Sequence, residues 1–267
     1  MHPELIHFHY FGAEKVFYSY GLMIVLGMTA ALLVGVARAR RYRLERFDVF
    51  AIGVLCCCGG IAGGWLLYVA IHFHEFLAEP TAFVRTPGMV FYGGFLGATA
   101  IGAWYARRYR VSLAAVADVG AVALPVGHAL GRVGCFLGGC CYGRPTTSRF
   151  GVLFLDPRAP ATALSRVAGR LHPVQLYESA GLLTIALALL AVERSGLLSR
   201  RARGSLFAVY MLLYALLRLA MESLRADSVE RGTYLGISTS EAIAGVMIAV
   251  ALALLLRRAA PPKEISG

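Results

Sequence analysis

The sequence predicts an all-α polytopic membrane protein, a bundle of about seven transmembrane helices with its N-terminus outside. The 267 residues are 58% hydrophobic and only 15% charged, which is too apolar for a soluble domain of this length. Apolar runs close to the roughly 20 residues needed to cross a bilayer recur along the chain. We therefore expect one integral membrane domain over residues 1–267.

The predicted transmembrane spans follow one another along the chain. They cover residues 17–37, 49–71, 88–106, 113–130, 173–192, 205–221 and 237–256. The fourth run is interrupted by Asp118, Pro125 and His128, and the sixth contains Arg218. These two runs depart most from a continuous apolar helix, and their polar residues are candidates for a functional role.

The distribution of arginine predicts the orientation of the chain. Basic clusters follow the first, third, fifth and seventh runs, at 38–46, 107–110, 194–203 and 257–263. The loop after the second run carries Glu75, Glu79 and only Arg85. Because cytoplasmic loops are enriched in Lys and Arg, we expect the N-terminus outside and the C-terminus in the cytoplasm. Topology also accounts for the net charge of +11, so no nucleic-acid partner is predicted.

With this orientation, polar side chains from six spans fall in one layer near the outer face. They are Tyr20, Tyr92, His128, Arg132, His172, Gln175, Tyr177, Glu178, Tyr214, Arg218, Glu222 and Glu241. Ionisable groups at membrane depth are costly, so they pair with one another or line a functional cavity. Glu222 follows Arg218 by four residues and is its natural partner. A set of purely structural ion pairs is the alternative interpretation of the layer.

The segment 127–143 contains six glycines in seventeen residues and holds both His128 and Arg132. If the helix continues through it, these two side chains share a face, because they are four residues apart. Glycine allows close approach of a ligand, and an arginine at membrane depth requires a counter-charge. The combination favours a pocket for an anionic lipid over plain helix packing.

The cysteines form two groups, Cys56, Cys57 and Cys58 in the second span and Cys135, Cys140 and Cys141 after the fourth. We expect the first group to be small core residues. In the second group, the sequence leaves undecided whether Cys135 forms a disulfide with Cys140 or Cys141. The predicted outer face is oxidising, which would allow such a bond. The C-x4-C-C spacing matches no standard zinc pattern, so no metal site is predicted.

Several short motifs, spread over nearly the whole chain, resemble those of one family. They are Y-G-L-M at 20–23, Y-G-G at 92–94, G-R-V-G-C-F-L-G-G-C-C-Y-G at 131–143, H-P-V-Q-L-Y-E at 172–178 and Y-x-x-x-R-x-x-x-E at 214–222. Taken together, they resemble the prolipoprotein diacylglyceryl transferases, which are bacterial membrane enzymes. The family has histidine at the position of Tyr92, asparagine at Cys135 and Gly138, and glutamate at Cys140. The resemblance therefore implies a divergent member or a paralogue.

The resemblance implies transfer of a diacylglyceryl group from phosphatidylglycerol to a cysteine thiol in the signal peptide of a lipoprotein precursor. The reaction is expected at the outer face of the bacterial inner membrane, without a metal or organic cofactor. The implied catalytic residues are Arg132, Arg218, His128 and Tyr92. The implied substrate-binding residues are Tyr20, Gly93, Gly94, Gly131, Gly134, Cys135, Gly143, His172, Gln175, Tyr177, Glu178, Tyr214 and Glu222.

Three other functions stay open at this point. The chain could transfer a lipid or phosphoglycerol group to another acceptor, or be a non-catalytic lipid-binding or cysteine-based redox protein on the same fold. A transporter is the least favoured, because transport sites lie near the membrane midplane between repeats. Here the polar layer lies at one face, and no inverted repeat is visible.

Overall fold

The computed structural model describes residues 3–10, 13–85, 88–198, 201–226, 233–234 and 237–256. Within them the helices are α1 (Ser19–Arg38), α2 (Arg46–Ile71), α3 (Phe73–Ala78), α4 (Pro80–Arg85), α5 (Phe91–Arg108), α6 (Leu113–Gly138), α7 (Ala161–Ala168), α8 (Val174–Ser195), α9 (Ser205–Glu222) and α10 (Thr239–Leu256). A 3-10 turn at Ala39–Tyr42 follows α1. The strands are β1 (Glu4–Tyr10), β2 (Ala13–Tyr18), β3 (Thr233–Tyr234) and β4 (Ile237–Ser238).

In the described part of the chain, six helices are long and apolar enough to cross a membrane. They are α1 with its 3-10 turn, α2, α6, α8, α9 and α10. They confirm six of the predicted spans and the all-α class. The predicted span 88–106 forms α5, whose 18 residues include four glycines and two terminal arginines and which is not among the six. That α5 crosses the membrane stays a prediction.

The fourth span is longer than predicted. α6 continues to Gly138, eight residues beyond the predicted end at position 130, although Pro125 lies inside it. A proline removes one backbone hydrogen bond from the helix. A membrane helix tolerates this loss when neighbouring helices cover the backbone carbonyl that is left without its partner. Pro125 is fully buried. The continuous helix places His128 and Arg132 on one face, as the sequence predicted.

Two hairpins, which the hydrophobic pattern did not predict, lie next to helix starts. β1 pairs antiparallel with β2 immediately before α1, and β3 pairs with β4 immediately before α10. The backbone N–H and Oγ of Ser19 both donate to the carbonyl of Pro3, at 3.0 and 3.2 Å. Arg158, in the loop before α7, also pairs with Glu4 on β1. These contacts fix the first hairpin against the beginning of α1.

The chain divides into two compact units. The first comprises residues 1–31 and 120–267, and the second comprises residues 32–119. In the first unit, α1 meets α6 at a close backbone contact. A Cβ at Gly27 would lie 2.6 Å from the carbonyl oxygen of Gly127, and a Cβ at Gly127 would lie 2.7 Å from that of Gly27. Only glycine allows this approach, which is the usual device of packed membrane helices.

The long loop after α6 is folded rather than extended. Phe154, Ala161 and Leu171 are fully buried, and Phe136 from the end of α6 packs against them. Val152 and Leu171 exchange both backbone hydrogen bonds at 2.9 Å. This small core holds residues 139–173 against the end of α6, so the glycine-rich segment after the helix has a fixed conformation.

In the second unit, α2 packs closely along α5. A Cβ at Gly59 would lie 2.9 Å from the carbonyl oxygen of Gly97, and a Cβ at Gly97 would overlap the carbonyl oxygen of Gly59. The hydroxyl of Tyr105 donates to Asp48 at 2.9 Å near the other end of the pair. Glycine contacts and one polar contact therefore hold the two helices together.

Candidate functional site

Glu178 on α8 is the centre of a buried polar cluster in the first unit. Its carboxylate has no exposed surface, and Nη2 of Arg132 donates to its Oε1 at 2.8 Å. Nε2 of His128 lies 3.9 Å from the same oxygen, and Nη1 of Arg225 lies 4.0 Å from Oε2. The structure thus brings the predicted residues His128, Arg132 and Glu178 together, and it adds Arg225.

Local structure explains this convergence. His128 and Arg132 are one turn apart on α6, and Glu178 lies in the second turn of α8. Arg225 lies just past α9, where the side chain of Arg144 donates to its carbonyl at 3.0 Å. The loop after α6 therefore fixes the position of Arg225.

A second ion pair lies on α9. Nη2 of Arg218 lies 2.9 Å from Oε2 of Glu222, one turn further along the helix, and this ion pair confirms the pairing predicted from their spacing. Nη2 of Arg218 also donates to Oγ of Ser240 on α10, at 2.9 Å. Tyr214 is one turn before Arg218, and its ring meets the ring of His128 with centroids 5.4 Å apart. Tyr214 therefore links α9 to the cluster around Glu178.

Several buried polar atoms of the cluster and of the segment 172–178 have no hydrogen-bond partner among the described residues. They are Nε of Arg132, Oε2 of Glu178, Oε1 of Gln175 and Nδ1 of His172. Buried polar atoms are almost always hydrogen-bonded in folded proteins, so these unpartnered atoms require an explanation. Of these atoms, the Nε–H of Arg132 can donate to an anionic oxygen of a ligand.

The segment 172–178 supports the loop that carries the glycine-rich motif. The backbone N–H of Gly143 donates to the carbonyl of His172 at 3.0 Å, and a Cβ at Gly143 would lie 2.6 Å from that carbonyl oxygen. The fully buried Gln175 donates to the carbonyl of Cys140 at 2.7 Å. The rings of His172 and Tyr177 lie 6.1 Å apart. Three of the predicted binding residues thus hold the loop in place.

The three cysteines after the fourth span converge in space. Cys135 lies in the last turn of α6, and the Sγ atoms of Cys135, Cys140 and Cys141 are all within 4.8 Å of one another. All six cysteines lie among the described residues and are free thiols, so neither disulfide left open above is formed. Hydrogen bonds with the other two thiols, and then the guanidiniums of Arg132 and Arg225, lower the pKa of Cys141 against the effect of burial.

A cavity of about 390 Å³ opens beside these thiols. Its lining includes Tyr20 and Gly21 from the start of α1, Gly138 and Cys140 from the end of α6, and Arg158. The predicted binding residue Tyr20 therefore lies at an opening that reaches the cysteine group. The residue is 45% exposed, so part of its surface is accessible at this opening.

Two predicted binding glycines on α6 have packing contacts. A Cβ at Gly134 would lie 2.9 Å from Cβ of Met23 on α1, and a Cβ at Gly131 would lie 3.5 Å from Ile24. Close packing of α1 on α6 accounts for Gly134 without a lipid pocket. The assignment of Gly131 and Gly134 to lipid binding stays a prediction.

The remaining predicted site residues, Tyr92, Gly93 and Gly94, belong to the second unit. Tyr92 lies in the first turn of α5, is 49% exposed and contacts the ring of Phe91 at 5.9 Å. A Cβ at Gly93 would overlap the carbonyl oxygen of Gly63, and a Cβ at Gly94 would lie 3.0 Å from that of Gly60. The two glycines allow α5 to approach α2, and their role in binding stays a prediction.

Arg225 follows the motif at 214–222 that carries part of the family resemblance, but the sequence did not predict its contact with Glu178. Arg225 is only 3% exposed, which is rare for an arginine without a buried counter-charge. Its spacing from Glu222, three residues, would have placed it on the same face had α9 continued. The sequence analysis assigned Glu178 to substrate binding. It could not predict the contacts of Glu178 with residues on α6 and after α9, because no spacing rule relates residues so far apart in the chain.

The residues around Glu178 coincide with the motifs that predicted a family, and a comparison with known families decides the matter. The sequence model of the prolipoprotein diacylglyceryl transferases matches residues 7–257. The chain belongs to the prolipoprotein diacylglyceryl transferase family. The match covers nearly the whole chain, including every helix of the described structure.

Relatives within this family are similar over most of their length. A phosphatidylglycerol–prolipoprotein diacylglyceryl transferase of Clostridium tetani is 31% identical over 245 residues, 91% of this chain and 92% of that protein. Proteins of the same name from Solidesulfovibrio magneticus and Xylella fastidiosa are 34% and 32% identical, covering 90% and 84% of this chain and 89% and 81% of their own. The predicted family and the predicted enzyme class, a transferase, are confirmed.

Proposed function

We propose that the chain transfers the diacylglyceryl group of phosphatidylglycerol to the cysteine thiol in the signal peptide of a lipoprotein precursor. We place the reaction at the outer face of a bacterial inner membrane. The observation that carries the proposal is Arg132, a buried guanidinium in the family motif. Glu178 holds its Nη2 at 2.8 Å, while its Nε has no partner among the described residues.

The chemistry requires a cation beside the leaving phosphate. In the reaction, the bond between a glyceryl carbon and a phosphate oxygen breaks, and a carbon–sulfur bond forms to the precursor cysteine. Glycerol phosphate leaves, and negative charge grows on its oxygens as the bond breaks. Arg132 can stabilise this charge with a hydrogen bond from its free Nε, and Arg218 supplies a second guanidinium on α9.

The thiol proton requires an acceptor. Neutral imidazole accepts a proton, and the ring of His128 lies between Glu178 and Tyr214, one turn from Arg132. A developing thiolate next to Arg132 would also be stabilised by the guanidinium charge. We therefore assign proton acceptance to His128. Tyr92 is the weaker candidate, since a phenol has an unperturbed pKa of about 10.

Rescue of a strain depleted of its own transferase tests the proposal. Wild-type chain should restore growth and add the mass of one diacylglyceryl group to a reporter precursor with a cysteine. Arg132→Lys should insert into the membrane yet lose most of the transfer, because an ammonium cannot reproduce the planar donor set of guanidinium. The matched control is Arg166→Lys on α7, an exposed position, which should transfer normally.

The lipid donor is tested with the purified protein. Vesicles containing labelled phosphatidylglycerol should pass label to the precursor and release glycerol phosphate, whereas phosphatidylethanolamine vesicles should not. If the protein inserts but no lipidation occurs in either assay, the proposed reaction is wrong. If label passes to an acceptor other than the cysteine thiol, transfer to another acceptor replaces it.

A further inference from the structure

We propose that Cys135, Cys140 and Cys141 bind one thiophilic d10 metal ion, Cu(I) or Zn(II). Their Sγ atoms lie within 4.8 Å of one another. A zinc–sulfur bond is about 2.3 Å long, so three sulfurs around one ion are separated by roughly 3.8–4.0 Å. Small side-chain rotations would bring the thiols to this separation. Thiolates are the ligands that both ions prefer.

The fold, rather than the sequence spacing, builds this arrangement. Cys135 is still helical, and the chain then reverses through Gly139 and Cys141, whose φ angles are +69° and +58°. A cysteine rarely adopts a left-handed conformation unless its surroundings impose it. The amide side chain of Gln175 holds the turn through the carbonyl of Cys140, at 2.7 Å. The three thiols are thus preorganised on a fixed turn.

Two guanidiniums place positive charge near the cysteines. The guanidiniums of Arg132 and Arg225 act on Cys141, and that of Arg132 also acts on Cys135. Glu178 pairs with both arginines but neutralises only one positive charge, so one remains beside the cysteines. Binding would replace up to three thiol protons with the metal ion and release them to solvent. No electron is transferred in this step.

Access to the thiols is also present. Cys140 and Cys141 are half-buried, and Cys140 lines the 390 Å³ cavity that opens next to Tyr20. An ion can therefore enter from outside the protein without unfolding the turn. Exchange through this opening also means that a chelator can remove the ion from folded protein.

The chain contains a matched control group. Cys56, Cys57 and Cys58 are equal in number but consecutive on α2, where successive side chains point about 100° apart. Among the described residues, they do not meet as a group of metal ligands, whereas the other three do. Cys56 instead donates to the carbonyl of Ala98, at 3.4 Å.

Metal titration of the full-length protein in detergent tests the proposal. Reduced protein, freed of reductant, is titrated with Cu(I) and separately with Zn(II) against competing chelators. Wild type and the Cys56→Ser, Cys57→Ser, Cys58→Ser triple variant should each bind one equivalent. The Cys135→Ser, Cys140→Ser, Cys141→Ser triple variant should bind none. X-ray absorption at the edge of the bound metal should show three sulfur ligands, and the tighter-bound ion identifies the ligand.

A single substitution separates loss of metal binding from loss of folding. Cys140→Ser keeps two thiols, and we expect it to unfold at the wild-type temperature without metal but to bind the ion more weakly. Three results would each overturn the proposal. They are a metal affinity of Cys140→Ser equal to that of wild type, no metal binding by wild type, and loss of metal binding in the Cys56→Ser, Cys57→Ser, Cys58→Ser variant. A disulfide among the three cysteines in protein isolated without oxidant would also overturn it. Binding is measured without lipid turnover, so its failure would leave the transferase proposal intact.

Discussion

At Glu178, a carboxylate with no exposed surface faces two guanidiniums and an imidazole that come from α6 and from the segment after α9. Burying an ionised group is costly unless its partners are buried with it. Arg132 and Arg225 are 15% and 3% exposed at their side chains, so the charges are buried as a set. Glu178 therefore positions Arg132, one of the two cations that the proposed reaction uses.

Replacing Glu178 with Gln removes this shared charge while keeping the size of the side chain. We expect the free energy of unfolding to fall by about 3–5 kcal/mol, because two buried guanidiniums lose their counter-charge. Thermal unfolding of the purified protein in detergent measures the loss. The control is Glu75→Gln, at an exposed glutamate, which should not change the melting temperature. Equal melting temperatures for the two variants would contradict the central role of Glu178.

Two substitutions test which residue accepts the thiol proton. His128→Ala should abolish transfer with little change in membrane insertion, because the imidazole next to Arg132 is lost. Tyr92→Phe should have a small effect, since it removes only a hydroxyl from an exposed ring. Transfer rates with labelled lipid and saturating precursor provide the measurement. A reversal of the two effects would assign the base to Tyr92, and no effect in either would leave thiolate formation to the arginines.

Among the helices, α5 is the least apolar of the predicted spans. Its 18 residues extend about 27 Å, close to the roughly 30 Å of the hydrocarbon core. Four glycines lower its hydrophobicity, and the structure gives several of them close contacts with α2. Packing against a more apolar helix can compensate for a weak span, since small residues at the contact increase the packed area.

A substitution at Gly97 tests this packing. Gly97→Ala should lower the free energy of unfolding by about 1–3 kcal/mol, because the added methyl group overlaps the backbone of α2 at Gly59. The control is Gly245→Ala on α10, where a Cβ would meet nothing within 4 Å and alanine favours the helix. Unfolding in detergent compares the two. Equal stability of both variants would show that α5 is not packed on α2 as described.

For the whole molecule, the arginine clusters all lie on one side of the membrane only if α5 crosses it. The clusters at 38–46 and 107–110 lie before α2 and after α5, so two crossings between them place both on one side. If α5 did not cross, the cluster at 107–110 would face the same side as Glu75 and Glu79. The positive-inside rule disfavours that arrangement.

Reporter fusions test the topology. A fusion after Arg258 and one after Arg110 should be active only as cytoplasmic reporters, whereas a fusion after Glu79 should be active only outside. The physical reason is that clustered arginines are retained on the cytoplasmic side during insertion. An outside location of the Arg110 fusion would mean that α5 does not span. An outside location of the Arg258 fusion would reverse the predicted orientation.

Several features could be read from the sequence because they depend on local spacing or composition. Apolar runs predicted the helices, and a four-residue spacing predicted both the Arg218–Glu222 pair and the shared face of His128 and Arg132. The motifs predicted the family because they keep their order and spacing along the chain. The end of α6 was placed too early, at position 130, since the charged Arg132 ends the apolar run although the helix continues.

Only the tertiary structure decided which residues far apart in the chain are in contact. Glu178 meets Arg132 across 46 positions, and Arg144 meets the carbonyl of Arg225 across 81. The spacing of Cys135, Cys140 and Cys141 matches no metal motif, yet a turn with two left-handed residues brings their sulfurs together. Hydrophobic period and local spacing specify helices and neighbours on one face. Which faces meet depends on packing of the whole chain, which no single segment encodes.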